Sequence, residues 1–217
     1  MNLPDDIRYI AVEGVIGSGK TTLAEILSKQ INATLIKEVV EENPFLEKFY
    51  ENPETYAFQT QLFFLLSRHK QLDKKLHQQD LFQPHVVSDY TLDKDHIFAK
   101  LNLDEQGYEM YSTVASALRQ SLLQPDFIVY LQANTETLLQ RIEKRGRSME
   151  RNIEMQYLQD LSEMYNRHFF NINSCPVLIV NTDQIDFVEN PADLEDLLRA
   201  IEKCPPGTNY YSPSSLL

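Results

Sequence analysis

The chain has 217 residues, 42% hydrophobic and 24% charged, a mixture suited to one ordinary globular domain that buries its own core. Its 20 Lys and Arg against 32 Asp and Glu leave a formal net charge of −12, which repels nucleic acid polymers and anionic membrane surfaces, so any phosphate site has to be local. The apolar runs are too short to cross a bilayer, the stretch MNLPDDIRYIAVEG carries acids where an export signal carries bases, and Cys175 and Cys204 have no metal-ligand spacing; a cytoplasmic chain with packing cysteines is expected.

In chain order, the apolar run 9–12 reads as a strand and leads into Gly14-Val15-Ile16-Gly17-Ser18-Gly19-Lys20-Thr21-Thr22, with a helical pattern starting near Thr21. Strand, G-x-x-x-x-G-K-[ST] loop and helix are the order a phosphate loop needs. The glycines let backbone N–H groups turn inward on an anion, and the helix N-terminus adds partial positive charge. Lys20 would then reach the β- and γ-phosphates of a nucleoside triphosphate and Thr21 would ligate Mg2+. The next strand, 34–36, is followed by Glu38, at the strand end where open parallel sheets hold their ligands; it suits a base for an accepting hydroxyl, or a plain solvated loop residue.

The stretch ETYAFQTQLFFLLSRHKQLDKKL has helical spacing, and Gln61 and Arg68, seven residues apart, share one face about 10 Å from each other. They can converge on one planar base, or simply line a solvated face. Asp89 ends the short strand 86–87, where an acid holds magnesium beside a phosphate loop, or forms a turn. After the strand 127–131, QRIEKRGR places Arg141 and Arg145 one turn apart, with Arg147 past a helix-ending Gly146. This basic cluster in an acidic chain suits a lid that neutralises a transferring phosphoryl group, or an ion-pair network with Glu143 and Glu150. A further helix in IEMQYLQDLSEMYNRHFF, a strand at 177–180 and an irregular tail at about 204–217 complete the order.

Strands alternating with helices predict an α/β fold: a parallel sheet of about five strands flanked by helices, in a single domain over 1–217, with an arginine-rich lid at about 141–152. No N-K-x-D-like guanine-reading element is present, and motor ATPases are usually larger, so a small-molecule kinase fits better than a GTPase switch or a motor.

The stretches GVIGSGKTT, KEVVEENPFLEKFYENPE, FQTQLFFLLSR, SDYTLDKDHIFAKLNL, RIEKRGRSMERNIEMQYL and VLIVNTDQIDF together resemble the deoxynucleoside kinase family over nearly the whole chain, and most of all its bacterial purine-directed branch. The resemblance implies that Glu38 is the general base on the nucleoside 5′-hydroxyl. It implies that Tyr50 and Glu150 hold the sugar 3′-hydroxyl, that Gln61 and Arg68 read the base, and that Asp95 lies on the base-reading side. Asp89 helps hold magnesium, Arg141, Arg145 and Arg147 close over the donor phosphates, and Asp186 and Phe187 lie beside the donor base. A homodimer is implied as well. Two positions depart from the family pattern: Val39 stands where many members have proline, and Tyr90 where many have an arginine that helps orient the 5′-hydroxyl, a task that is then lost or passed to a lid arginine. The expected reaction is in-line transfer from ATP to a purine deoxynucleoside; the alternatives are a nucleoside monophosphate kinase and a nucleotide-binding regulator without turnover.

Overall fold

Alternate residues of β1 (Tyr9–Gly14) enter two different cores, because side chains point to opposite faces along a strand. Tyr9 and Ala11 face one layer, and Ile10 and Val12 the other. The computed structural model describes residues 4, 7–77, 83–119, 122–151, 153–211 and 213. Residues 1–3, 5 and 6 of the N-terminal stretch, and 212 and 214–217 of the tail, lie outside them.

With β2 (Thr34–Ile36), β3 (Val86–Ser88), β4 (Phe127–Gln132), β5 (Val177–Asn181) and β6 (Thr208–Tyr211), β1 forms one sheet in the order β2-β3-β1-β4-β5-β6, every pairing parallel. The expected strands are all present. The sheet nevertheless has six strands where about five were expected, because the tail is not irregular throughout: β6 runs beside β5. Its Asn-Tyr-Tyr stretch includes two strand-forming aromatics, and β5 would otherwise present an open edge.

The helices are α1 (Lys20–Gln30), α2 (Leu46–Glu51), α3 (Pro53–His77), α4 (Leu92–Asn102), α5 (Glu105–Arg119), α6 (Thr135–Arg145), α7 (Met155–Phe169) and α8 (Pro191–Glu202). Leu23, Ala24 and Leu27 of α1 and Leu197 and Ile201 of α8 cover one face of the sheet; Ile97 of α4 and Leu158, Leu161, Tyr165 and Phe169 of α7 cover the other. Both faces are thus buried, which explains the nearly continuous apolar strands. Helix α6 starts at Asn134, whose side chain accepts from the Thr137 N–H at 2.7 Å, and ends at Gly146, φ 71°. Among the described residues no helix is long and apolar enough to cross a membrane.

The chain moves from β1 toward β2 on one side, and from β3 past β1 to β4 on the other. That reversal opens a crevice beyond the carboxyl ends of β1, β2 and β3, the end of the sheet that carries Gly14, Glu38 and Asp89.

Candidate active site

Two depressions meet at this end of the sheet. A cleft of about 730 Å³ is lined by Gly17–Thr22 of the phosphate loop, by Arg141, Arg145 and Arg147, and by Asp186 and Phe187. A pocket of about 320 Å³ is lined by Glu38, Tyr50, Gln61, Arg68, Asp89 and Glu150 among others. Lys20, Thr21, Arg145 and Arg147 line both.

The loop geometry follows from its glycines. Gly17 has φ 84°, and a Cβ there would lie 2.8 Å from the Leu138 carbonyl oxygen and 3.0 Å from Ile142, so α6 packs directly on the loop backbone. A Cβ at Gly14 would lie 2.5 Å from the Leu131 carbonyl oxygen, which closes the gap between β1 and β4. Among the described residues Ser18 Oγ is buried without a hydrogen-bond partner, a polar atom left open in the loop. The Lys20 ammonium donates to the Val15 carbonyl at 2.9 Å. Burial and the neighbouring Lys94 push it down to about 8, against the pull of Glu13, Glu38 and Asp89.

Thr21 Oγ1 donates to Asp89 Oδ2 at 2.5 Å, and Asp89 Oδ1 accepts from the Glu38 N–H at 2.7 Å. The strand-end acid therefore ties the first turn of α1 to the end of β2. No group of three or more His, Cys, Asp or Glu among the described residues could hold a metal unaided. The hard oxygen pair of Thr21 and Asp89 fits a magnesium ion that takes its remaining ligands from phosphates and water.

In the smaller pocket both oxygens of Glu38 are engaged: Oε1 accepts from Nε and Nη2 of Arg68, and Oε2 from the Lys94 ammonium at 2.5 Å. The Glu38 side chain is 10% exposed. Burial pushes its carboxyl up, but Arg68 and Lys94 outweigh burial and hold it well below the usual carboxylate range. Arg68 also binds Asp95 through Nη1, and its guanidinium lies 4.5 Å from the Phe64 ring centroid. Asp95 is fully buried behind Arg68, and burial raises its carboxyl to about 6 despite that partner. Its path to a ligand runs through Arg68.

Gln61, 2% exposed, lies on the same α3 face as Phe64 and Arg68, as the seven-residue spacing predicts. Glu150 accepts from Arg145 at 2.5 Å and pairs with Arg147 at 3.6 Å, while Arg141 donates to Oγ1 and the carbonyl of Thr182 at 2.8 and 3.0 Å. The three arginines therefore line the larger cleft with their heads turned onto Glu150 and Thr182. Phe187 is buried, its ring 3.3 Å from where a Gly19 Cβ would stand; Asp186 caps the following turn by accepting from the N–H groups of Val188 and Glu189.

Sequence reasoning missed Glu13, Lys94 and Tyr157. Tyr157 lines the smaller pocket, where its hydroxyl accepts from Asn102. Glu13, fully buried, accepts from the N–H and hydroxyl of Thr91 at 2.6 and 2.8 Å and so fixes the start of α4. Adjacent positions on a helix point about 100° apart, so the first turn of α4 sends Asp93 to Arg119 and His168, Lys94 to Glu38, and Asp95 to Arg68. In the sequence, Asp-Lys-Asp resembles an ordinary solvated helix start. Tyr90 is buried with its hydroxyl donating to Gln71 at 2.5 Å, and the second cation beside Glu38 is Lys94.

The family model for deoxynucleoside kinases matches residues 10–204. The chain is 41% identical over 200 residues to deoxyguanosine kinase of Bacillus subtilis, covering 90% of this chain and 96% of that one. It is 36% identical over 199 residues to deoxyadenosine kinase of Dictyostelium discoideum, covering 88% and 78%. A solved structure of deoxyadenosine kinase from M. mycoides with bound dCTP superposes with a TM-score of 0.76 at 30% identity, covering 88% of this chain and 97% of that one.

Proposed function

This chain belongs to the deoxynucleoside kinase family, and from that premise we propose a purine deoxynucleoside as its acceptor and the side chains above as the parts of an in-line transfer. It is a kinase that phosphorylates a deoxynucleoside from a nucleotide donor. The arrangement that carries the residue assignments is the pair of depressions meeting at Lys20 and Thr21, with an ionised carboxylate, Glu38, on the acceptor side of the junction. The relatives named for deoxyguanosine and deoxyadenosine support the purine assignment.

The donor is ATP, with its triphosphate along the loop from Gly14 through Val15, Ile16, Gly17, Ser18, Gly19 and Lys20 to Thr22, and its base toward Phe187 and Asp186. Thr21 and Asp89 would hold Mg2+, which when bound draws charge from the phosphate oxygens. Gln61 and Arg68 orient the nucleoside base, with Asp95 holding Arg68 in place; Tyr50 and Glu150 hold the 3′-hydroxyl, so that the 5′ oxygen faces Glu38. Glu38 takes the 5′-hydroxyl proton as that oxygen attacks the γ-phosphorus. A carboxylate held so far down is a weak base, which suits a loose transition state in which the proton moves late and positioning carries most of the rate. Lys20, Arg141, Arg145 and Arg147 neutralise the transferring group; the arginines first leave Thr182 and Glu150 for the phosphates.

In this reading the chain is one kinase domain over 1–217 with a lid at about 141–152, of which residue 152 lies outside the described residues. A cytoplasmic location accords with the free thiols of Cys175 and Cys204. A homodimer accords with the exposed apolar side chains of Leu66 on α3 and of Met110 and Val114 on α5, two helices that pack together. Incubation with γ-labelled ATP and the four deoxynucleosides, with deoxynucleoside monophosphates as competitors, tests the assignment. Label should appear in a purine deoxynucleoside 5′-monophosphate. Transfer only to monophosphates, or none at all, would overturn it.

A further inference from the structure

Lys94 is 6% exposed, lines the acceptor pocket, and has no part in the phosphate loop, the base-facing pair or the lid. Burying an ammonium is costly unless it is paired, and the partner of Lys94 is the carboxylate of Glu38. Arg68 binds Oε1 of Glu38 through two N–H groups and Asp95 through Nη1, so its single charge is shared between two carboxylates and Lys94 completes the pairing of Glu38. Among the described residues one of the three ammonium protons is committed, to Glu38 Oε2. The ammonium shares the pocket with that of Lys20; the two cations repel, Glu13 and Glu38 offset part of that repulsion, and a bound anion would offset more.

The placement is rigid. Lys94 sits on the first turn of α4, whose start is held by Thr91 on the buried Glu13, the residue immediately before the phosphate loop. The strand that carries the loop thus also fixes the root of the Lys94 side chain. The Phe98 ring, with its centroid 5.7 Å from the ammonium, flanks it on the same helix.

We propose that Lys94 is a catalytic residue: its ammonium donates to the acceptor 5′ oxygen and then to an oxygen of the transferring phosphoryl group, between Glu38 and Lys20. This rests on Glu38 as the base. The O–H bond of the acceptor breaks and its proton passes to the Glu38 carboxylate. The bond from the 5′ oxygen to the γ-phosphorus forms, and the bond from that phosphorus to the bridging oxygen breaks. The diphosphate leaves with the electron pair, and Lys94 keeps its protons throughout.

The test measures kcat, the deoxynucleoside KM and ATP affinity in wild type, Lys94→Met, Lys94→Gln and Lys94→Ala, the last with and without ethylammonium. Loss of one charged donor to the reacting atoms should lower kcat by roughly 10²–10³-fold in the Met and Gln variants. ATP affinity should hold within about threefold, because Lys94 does not line the donor cleft. Ethylammonium should restore kcat of Lys94→Ala in a saturable way, which a purely structural lysine would not permit. Turnover close to wild type in whichever of the Met and Gln variants folds, or no recovery with ethylammonium, would overturn the role of Lys94. A wild-type protein that phosphorylates no deoxynucleoside would remove the reading of the site itself. An active wild type with an undiminished variant removes only the proposal for Lys94.

Discussion

Replacing Glu38 with Gln tests catalysis and architecture at once. The carboxylate has one oxygen on Arg68 and the other on Lys94, with the side chain only 10% exposed. Glutamine keeps the shape but has a single acceptor oxygen, so one buried cation must face an amide N–H. Removing one member of a buried charge cluster costs about 3–5 kcal/mol, and for a chain of this size each kcal/mol lowers Tm by about 2–4 °C; a drop on the order of 10 °C is expected. The sign with pH follows from the depressed carboxyl. Its stabilisation is fully present above the unfolded value of about 4.3 and is lost as pH falls through the folded value. The Tm difference between wild type and Glu38→Gln should therefore stay constant from pH 6 to 8 and shrink below about pH 4. In the kinase assay, loss of the base should lower kcat by roughly 10²–10⁴-fold while ATP affinity, read by calorimetry, stays similar. Turnover within twofold of wild type would remove Glu38 as the base, and an unchanged Tm would refute the mutual dependence of the buried charges.

Three further outcomes follow from the same geometry. Gln61→Leu removes a buried amide from the base-facing side without touching the charge cluster, so the ratio of kcat/KM values among the four deoxynucleosides should change by about tenfold or more while the Tm changes little; a flat ratio would remove Gln61 from base recognition. Gly17→Ala forces a methyl within 2.8 Å of the Leu138 carbonyl at φ 84° and should weaken ATP binding by at least about tenfold in calorimetry, because α6 must shift off the loop. Asp93→Asn removes a carboxyl that burial would raise but that His168 and Arg119 hold down at about 2. That side chain, 16% exposed, should cost on the order of 2 kcal/mol at pH 7, and the difference in Tm should fade as pH drops from about 4 toward 2.

The legible part of the site was the part written in contiguous residues. The phosphate loop could be read because a strand, its glycines and a helix start follow one another directly, and Glu38 and Asp89 because they close short apolar runs. Gln61 and Arg68 could be placed on one face because helical spacing is a local property of α3. Strand β6 was missed because the prolines and serines around Thr208–Tyr211 obscure a short run whose pairing depends on the open edge of β5. The lid arginines could be found as a cluster, but their actual partners, Thr182 and Glu150, could not.

By itself, then, the sequence determined the α/β alternation, the glycine loop between β1 and α1 and the strand ends beside it, since hydrophobic period and turn chemistry act over a few residues. Only the tertiary structure decided how the charges pair. Glu38 meets Arg68 thirty positions and Lys94 fifty-six positions along the chain, and Glu13 reaches Thr91 across seventy-eight. Such pairings depend on which helix turn is brought over which strand end, and burial turns them from weak solvated contacts into strong ones. Lys94 reads as a solvated helix residue in the sequence and stands in the structure as a buried ammonium that lines the smaller pocket against Glu38.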